Sequence, residues 1–477
     1  MKNNKKSAYK LLMEAYEGTG GFFDGGRLIR HPREDGTKYE QRRRAAYYLN
    51  YLKPCVDAHV TPIFKSLAVR DYKGSGAKAW EKFISDVDFS GTHIKDLMKR
   101  AAKLAKLNGV AFIVMDSALG EGQETTLQAL EEERARLPYA FVVHPLQVEE
   151  IELDKFGRIS KFIYEEPDPE QENIRARRTL TPQGWQLDNS RGTSTGQWNL
   201  GVTPVIPLFA REHDNFDALP PSDFMSIAQT NLAIYNMSSW LSDILINQTF
   251  SILVYPDTNH DAIEIGTNNA LGYPADAAHE PAFIAPDSGP ATIISENIER
   301  LQQECYRMAS VVNVTGVKVQ SSGTAKAWDY EQTNQILSDF ADRIEAAEKN
   351  LAALFARWLG VELDYTCNYP NDYSIADVET ELANADVAKG LAFGDAFNVE
   401  VFKKVLTSYL PELADDDFDA LVESYKEQQE QEKLDMQHQF DDEVDDDEED
   451  QAGQQGGKQA GKQPASGVAG NGTQGGK

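Results

Sequence analysis

Residues 321–360 read SSGTAKAWDYEQTNQILSDFADRIEAAEKNLAALFARWLG, and this stretch carries the clearest structural signal in the chain. Apolar side chains recur in it seven residues apart and at the half-turns between, which predicts one apolar stripe along about six turns of helix. The stripe consists of Leu337, Phe340, Ile344, Ala347, Leu351, Leu354 and Trp358. Gly360 stands where a C′ glycine ends a helix. The charged residues expected on the opposite, exposed face are Asp339, Asp342, Arg343, Glu345, Glu348 and Lys349.

The sequence before this helix predicts two further helices that flank a small β insert. Ser222 follows two prolines and is a suitable N-cap for a helix that continues to about Asn247. The runs SILVYP at 251–256 and PAFIAP at 281–286 are typical of short strands, and the turn-rich TNNALGYP lies between them. A helical pattern returns in ISENIERLQQECYRMASVV at 294–312 and leads into a polar loop. The predicted order is helix, β insert, helix, loop and long helix.

This order, with these residues in it, resembles the portal proteins of tailed bacteriophages. The matching segments are LAIYNMSSWLSDIL leading into SILVYP, the turn IGTNNALGYPAD, the helix ENIERLQQECYRMA and the long helix quoted above. The resemblance extends loosely over residues 40–430 and depends on the order of these motifs. It implies an α+β fold with an α/β wing, long stem helices, a small β-containing clip and a helical C-terminal crown.

Domain boundaries follow from this resemblance together with composition. The glycine-containing start is typical of a flexible arm, and the acidic end cannot bury enough apolar surface to offset chain entropy. The predicted parts are a flexible N-terminal arm at 1–33, an α+β wing at 34–221, stem helices at 222–313 with a clip insert at about 251–291, a channel loop at 314–324, the long wing helix and a strand at 325–376, a helical crown at 377–439 and a disordered acidic, then Gly/Gln-rich tail at 440–477.

The resemblance implies a structural function without catalysis. The chain would form a homo-oligomeric ring, a homododecamer by analogy to the family, at one capsid vertex, as the head-tail connector and DNA channel for viral genome packaging and ejection. The implied partners are other copies of the chain, the terminase large subunit, the scaffold and major capsid proteins, head-tail adaptor proteins and double-stranded DNA, with no membrane. The implied location is the virion, and the host cytoplasm during assembly.

In such a ring the loop VNVTGVKVQSSGT would project into the channel. Two lysines are the positive charges near it, and its neutral polar groups can bond to phosphate without retaining it strongly. The same residues would also suit an ordinary exposed turn. The predicted channel residues are Asn313, Thr315, Lys318, Gln320, Ser321, Ser322 and Lys326. The predicted packing residues of the long helix are Leu337, Phe340, Ile344, Leu351, Leu354 and Trp358.

The region before Ser222 has an α+β pattern. GTHIKDLMKRAAKLAKLNG predicts an amphipathic helix that ends at Gly109, and the following VAFIVMD is typical of a buried strand. QVEEIELD and RISKFIYEE predict a hairpin with Lys155, Phe156 and Gly157 in its turn. Further strands are indicated around Trp185 and Trp198.

Charge, cysteine content and hydropathy argue against a disulfide-bonded, a membrane-spanning or a secreted protein. The net charge is −29, but nineteen acidic residues and two lysines between Glu412 and Asp450 account for −17 of it, so the rest of the chain is only moderately acidic. An acidic wall suits DNA that slides, although it also suits any soluble protein. The three cysteines are widely spaced, which favours reduced, buried thiols. No apolar run reaches about eighteen residues and the start lacks a signal peptide's apolar core, so we expect synthesis in the cytoplasm.

No catalytic, metal or cofactor motif stands out. The eight histidines form no HxxxH or HExxH pattern, and no GxSxG occurs. We therefore expect no enzyme, no cofactor and no bound metal. Two alternatives stay open: a nucleotide- or phosphate-binding enzyme with a non-motif site that uses GTGGFFDGG or KGSGAKAW, and a capsid-associated adaptor that forms no channel.

The densest basic cluster of the body is Arg42, Arg43 and Arg44. These side chains could contact DNA or the acids of a neighbouring subunit. A solvated helix end is the simpler interpretation of a basic run on a helix, and we adopt it.

Overall fold

The computed structural model describes residues 3–65, 67–117, 137–168, 171, 173–198, 200–214, 216–248, 252–256, 270–273, 282–284, 289–310, 323–370, 373, 394–409, 418 and 420–431. The chain divides into two compact units, Met1–Ser374 and Ile375–Lys477. Both helices and sheets are well represented, which confirms the α+β class.

The first unit contains long and short helices. They are α1 (Asn3–Glu17), α2 (Gly36–Ala45), α3 (Leu52–Ala58), α4 (Ala77–Ser85), α5 (Ile94–Asn108), α6 (Met225–Gln248), α7 (Gly289–Met308) and α8 (Gly323–Leu359). Its strands are β1 (Val69–Lys73), β2 (Val110–Ser117), β3 (Pro138–Val143), β4 (Val148–Leu153), β5 (Ile159–Pro167), β6 (Arg175–Leu180), β7 (Gly184–Asn189), β8 (Gly192–Gln197), β9 (Val205–Phe209), β10 (Ile252–Pro256), β11 (Ala270–Tyr273), β12 (Ala282–Ile284) and β13 (Asp364–Asn368).

Among the described residues the strands form four small sheets, in the orders β3-β2-β9, β4-β5-β6-β7-β8, β11-β10-β12 and β1-β13. The predicted hairpin is confirmed, because β4 and β5 pair antiparallel on either side of residues 154–158. β1 pairs antiparallel with β13, with Val69 opposite Asn368. That pairing joins segments almost three hundred residues apart and fixes β13 beside β1.

β2 is the central strand of its sheet, and its apolar run Val110–Met115 is fully buried, as the sequence predicts. α5 leads into it through Gly109, whose φ of +92° is a left-handed conformation that favours glycine. A Cβ at Gly109 would also lie 2.8 Å from the carbonyl oxygen of Pro220. The helix therefore ends at this glycine, and the chain turns directly into the strand.

The largest core lies between α8 and the elements that α8 crosses. Six predicted packing residues face it: Leu337, Phe340, Ile344, Leu351 and Leu354 are buried, and Trp358 is partly buried. Across from this stripe, the ring of Trp80 lies 5.1 Å from that of Phe355. The helix ends at Gly360, which has a φ of +65°.

Residues 3–33 correct the prediction of a flexible arm. α1 packs against α3, α5 and α6, and Leu12 and Ala15 are fully buried in a second core. The arm interpretation gave too much weight to the glycines and too little to the apolar spacing of Tyr9, Leu12 and Tyr16, which lie on one helical face.

Three predicted boundaries also shift slightly. The regular helix α6 begins at Met225, although the Ser222 hydroxyl accepts a hydrogen bond from the Phe224 amide (3.0 Å) and so caps the turn before it. α7 begins at Gly289, inside the predicted clip insert, because a proline at the second helical position suits a helix start. α8 begins at Gly323, so the last two residues of the predicted 314–324 loop are helical.

The second unit contains α9 (Asp395–Tyr409) and a helical stretch that we name α10, at residues 420–431. The rings of Phe402 and Tyr425 stack at 4.1 Å between centroids, with an interplanar angle of 8°. Helical structure at these positions agrees with the helical segments predicted for 377–439. The predicted tail at 440–477 lies outside the described residues.

Candidate functional site

The region that the sequence analysis singles out is built from α6, α7, the β10–β12 insert and α8. α6 and α7 pack against each other, and the insert between them is a three-stranded sheet in which β10 pairs parallel with β11 and antiparallel with β12. The strands predicted in SILVYP and PAFIAP are therefore confirmed. Near the insert, large apolar side chains are exposed on both helices: Ile246 is 56% exposed and Ile293 is 68% exposed.

The predicted channel residues Asn313, Thr315, Lys318, Gln320, Ser321 and Ser322 lie outside the described residues. Lys326 belongs to α8, but its side chain is also outside the described part of the chain. Residues 311–322 lie outside the described structure, which ends at Ser310 on one side of them and begins again at Gly323 on the other.

Ser310 is held in place where this segment begins. Its φ of +54° is unusual for a residue other than glycine, and its carbonyl oxygen accepts a hydrogen bond from the Thr333 hydroxyl of α8 (2.7 Å). The preceding carbonyl, that of Ala309, lies 2.6 Å from Nε2 of His59. Because a carbonyl oxygen can only accept, this nitrogen carries the proton. The C-terminal end of α7 is thus fixed to α8 and to His59.

Burial lowers the pKa of His59 to about 4, with the charge of Lys106 contributing in the same direction. The ring is therefore neutral at pH 7, and its Nδ1 has no hydrogen-bond partner among the described residues. His59 and Lys106 line a cavity of about 390 Å³ whose wall also includes Phe340 and Ser310.

Lys106 is an unusual residue in this cavity, because it is only 5% exposed and its Nζ lies 5.0 Å from the ring centroid of Phe340. Burial lowers its pKa to about 8, although Asp223 lies close enough to oppose the shift. Arg211 at the rim is paired with Asp223 at 3.0 Å. The lining contains carboxylates as well as cations, among them Glu212 and Asp339, so the cavity does not form a strong anion trap.

Glu348 corrects the expectation of an exposed face on the long helix. It is fully buried, and its carboxylate accepts hydrogen bonds from Arg70 Nε (2.7 Å), from Tyr369 Oη (2.5 Å) and from the Tyr365 hydroxyl. Burial and the adjacent Glu348 carboxylate raise the pKa values of both tyrosines well above the ordinary value, so both remain hydrogen-bond donors. This network ties α8 to the β1-β13 sheet.

The sequence contained a signal for this burial. Ala341, Glu348 and Phe355 form a further row at heptad spacing beside the stripe, and all three are at most 1% exposed. The buried face of α8 is therefore wider than the predicted stripe. Arg70, the partner of Glu348, had no local signal, because it is placed by the distant pairing of β1 with β13.

Arg42 corrects the expectation of a solvated helix end. It is 3% exposed, and it donates from Nε and Nη2 to the two carboxylate oxygens of Glu34, both at 2.8 Å, and from Nη1 to Ser239 Oγ at 2.9 Å. Hydrogen bonding from Arg42 to the Glu34 carboxylate is the main reason that the pKa of Glu34 is lowered. Arg42 thus ties the N-terminal region to α6. Arg43 donates to the Asp24 carbonyl (2.7 Å), and Arg44 is exposed.

The two glycine-containing segments have structural roles. In KGSGAKAW, the Gly76 amide donates to the Glu362 carbonyl (2.9 Å), and a Cβ at Gly74 would lie 2.5 Å from that oxygen. These glycines allow the chain to pass close to the end of α8. In GTGGFFDGG, the short 3-10 helix Gly20–Phe22 packs the Phe22 ring 4.4 Å from the ring of Tyr48. Both segments use their backbone groups for packing within the chain.

Other candidate chemistry is limited in the part of the chain that the structure describes. Cys55, Cys305 and Cys367 are buried free thiols, and burial raises the pKa of each to about 12. Within the described ranges, no three His, Cys, Asp or Glu side chains are grouped so that they could hold a metal ion. None of the described helices combines the length and apolar character needed to cross a membrane.

A cavity of about 640 Å³ lies between the β4-β5 hairpin, β9 and the C-terminal half of α8. Its wall includes Val202, Pro207, Phe209 and Leu354, and Arg158 and Arg357 stand at its border. Thr203 also lines it, with a buried hydroxyl that has no hydrogen-bond partner among the described residues.

No known protein family matches this chain, and no curated protein matches it. Three solved structures with similarity come from a gene transfer agent. A chain of the native virion has a TM-score of 0.42 at 12% identity and covers 81% of this chain and 96% of its own. A chain from the neck of the empty particle, computed with C6 symmetry, has a TM-score of 0.41 at 11% identity, with coverages of 83% and 95%. A chain from the native neck, computed with C12 symmetry, has a TM-score of 0.38 at 11% identity, with coverages of 86% and 98%.

Proposed function

We propose that this chain is the subunit of a phage-type portal, a homo-oligomeric ring that forms the DNA channel at one capsid vertex. The observation that supports this most is the element order α6, β10–β12, α7 and α8, in which two packed helices carry a small sheet and a 37-residue helix follows. It is the order on which the sequence resemblance to portal proteins depends. In this proposal α6 and α7 are the stem, and the insert is the clip.

The exposed apolar side chains of α6 and α7 support self-association. Ile246 and Ile293 lie on the ends of the two helices that adjoin the insert. Exposed apolar groups that cluster on one part of a surface commonly mark a protein contact. In a ring, the same helix pair of the next copy would cover them, and closed symmetry leaves no copy with an uncovered face.

Residues 314–324 are the proposed channel loop. The chain shortly before it is held by the contacts of Ala309 and Ser310 with His59 and Thr333. The loop sequence offers Lys318 and neutral polar groups, which suit transient contact with the phosphates of moving DNA.

The remaining partners follow from the same proposal. The clip would contact the terminase large subunit during packaging and head-tail adaptors afterwards. The rest of the ring would contact scaffold and major capsid proteins. α9 and α10 would belong to the crown, and the acidic segment would repel DNA from the ring surface. The protein would be assembled in the host cytoplasm and reside in the virion.

The enzyme alternative is weakened by the roles of the glycines. A phosphate-binding loop needs backbone amides that point at the ligand. The amides of Gly76 and Phe23 instead donate to backbone carbonyls of the chain, at 2.9 Å in each case. The oligomeric state of the protein distinguishes the adaptor alternative from the portal, because only the portal hypothesis requires a ring that forms a channel.

The test is the native mass of the purified protein, measured by light scattering over a wide concentration range. A ring of twelve 53.1 kDa chains has a mass of about 640 kDa. A single large species whose mass does not change on dilution is expected. A monomer at every concentration would refute the proposal.

A further inference from the structure

The segment GTGGFFDGG and the Arg27 that follows it form a rigid projection, which we name the Phe23 knob and define as residues 18–27. Its backbone amides are bonded within the segment: Phe23 N donates to Gly20 O (2.9 Å), Asp24 N to Gly20 O (3.0 Å) and Arg27 N to Gly21 O (2.9 Å). The Asp24 carboxylate also accepts from the Gly26 amide at 2.7 Å. The conformation of the knob is thus fixed by its own hydrogen bonds.

The glycines make this compact shape possible. Gly20 and Gly25 have φ values of +54° and +78°, which favour glycine. A Cβ at Gly25 would lie 2.2 Å from the Cγ atom of Arg43, whose own position is fixed by its bond to the Asp24 carbonyl. The compact conformation of the knob therefore depends on these two glycines and on the fixed position of Arg43.

The two phenylalanines of the knob point in different directions. Phe22 is 2% exposed and packs between the rings of Tyr48 and Tyr235. Phe23 is 86% exposed, the highest value for a large apolar side chain among the described residues. An exposed aromatic side chain on a fixed backbone loses little backbone freedom when it is bound, which makes it suited to anchor a protein interface.

The same chain carries a cavity that fits such an anchor. The 640 Å³ cavity described above, which we name the α8 pocket, has an apolar wall that includes Val202, Phe209 and Leu354. Arg357 stands at its border, is exposed and donates within the described structure only weakly, to the Leu200 carbonyl at 3.4 Å. An aromatic side chain followed by a carboxylate, as in Phe23 and Asp24, complements an apolar pocket bordered by a guanidinium group.

A single copy cannot place its own knob in its own pocket. Lys5, near the start of α1, bonds to Asp217 and the Leu219 carbonyl, beside Ala218 at the pocket border. The knob follows the other end of α1, and the rise from Lys5 to Glu17 is roughly 18 Å. Two different, complementary surfaces at separate places on one chain define a head-to-tail contact, and such contacts can close into rings.

We propose that the Phe23 knob of one copy occupies the α8 pocket of the next copy, with Asp24 facing Arg357. This inference rests on the proposed function, because it specifies how neighbouring copies of the ring touch. Phe23 would act as an interface anchor. Replacement of such an anchor by alanine weakens association by roughly 30-fold or more.

The experiment combines variants and cross-linking in the full chain. Phe23→Ala is expected to raise the protein concentration below which the ring dissociates by roughly 30-fold, so that the variant comes apart on dilution where the wild type stays assembled. Folding should be kept, because the side chain makes little contact within its own copy. Leu67→Ala, with a side chain that is 72% exposed and outside both surfaces, is the matched control and should assemble normally. Ala353 also lines the α8 pocket. Phe23→Cys mixed with Ala353→Cys should therefore give covalent dimers with a short bismaleimide, and neither variant alone should do so.

The native cysteines are buried and leave the background low. A stable ring that forms equally well with Phe23→Ala, and that gives no product between the two cysteine variants, would overturn this inference and leave the proposed function intact. A wild-type protein that never forms a ring would overturn both. Weakening by Leu67→Ala equal to that by Phe23→Ala would also count against the knob.

Discussion

The buried Arg70–Glu348 pair gives the most specific prediction for the stability of the first unit. Glu348 is fully buried and the Arg70 side chain is 10% exposed, so neither charge can be satisfied by water if the other is removed. Glu348→Gln keeps the shape but only one of the two oxygens that accept from Tyr365 and Tyr369, and it leaves the guanidinium of Arg70 without a counter-charge.

Loss of one partner of a buried ion pair costs about 3–5 kcal/mol. Because glutamine retains part of the hydrogen bonding, we expect a loss near the lower end, about 3 kcal/mol in the free energy of unfolding. That is more than a hundredfold in the ratio of folded to unfolded protein. Arg70→Met combined with Glu348→Gln should recover part of the loss, since the double variant leaves no unpaired charge.

The assay is urea unfolding followed by tryptophan fluorescence at one fixed protein concentration, because self-association adds to apparent stability. Trp80, whose ring lies 5.1 Å from that of Tyr365, reports on this region. The control is Lys349→Met, which breaks the partly exposed i,i+4 Glu345–Lys349 pair on the same helix and should cost less than about 0.5 kcal/mol. Equal losses for Glu348→Gln and Lys349→Met would refute the reasoning.

Three further predictions concern the stripe, pH and nucleotide. Ile344→Asp should abolish soluble assembly, because Ile344 is fully buried and an unpaired charge there costs several kcal/mol. Lys318→Ala and deletion of 319–322 should instead preserve assembly and affect only DNA packaging or retention. Gel filtration of the variants measures assembly, and the reverse pattern would contradict the channel proposal. Burial lowers the pKa values of His59 and His144 to about 4 from an ordinary value of 6.5. Between these two pH values the unfolded chain binds protons on both histidines and the folded chain does not, so the free energy of unfolding should fall as pH decreases from about 6.5 to 4. Urea midpoints across that range should show a shallower fall for His59→Gln, and an unchanged slope would exclude His59 as a cause. The purified protein should hydrolyse no ATP, and turnover that survives purification and disappears on changing Gly20 and Gly21 would favour the enzyme alternative.

The local parts of the fold could be predicted from the sequence, and the distant pairings could not. The stripe of α8, the buried run of β2 and the β4-β5 hairpin follow from periodicity and turn residues within a few neighbouring positions. The strand that pairs with β1 and the bond from Arg42 to Ser239 depend on elements far away in the chain, and no local pattern specifies them.

The same distinction explains the corrections at the candidate site. Glu348 was assigned to the exposed face because it is charged, yet its row with Ala341 and Phe355 has heptad spacing. A charge is tolerated in that row only because Arg70 and two tyrosines converge on it from another part of the chain. The N-terminal arm was misjudged for a related reason, since α1 is stabilised by burial against α6 rather than by its own sequence alone.

An image of the assembled particle is the most direct test of the proposed function. Particles that carry this chain should be labelled with gold-conjugated antibody against it, opened gently and viewed by electron microscopy. The proposal predicts label at one vertex of each head, at the junction with the tail. Label distributed over many vertices, along the tail or absent from particles would contradict a portal.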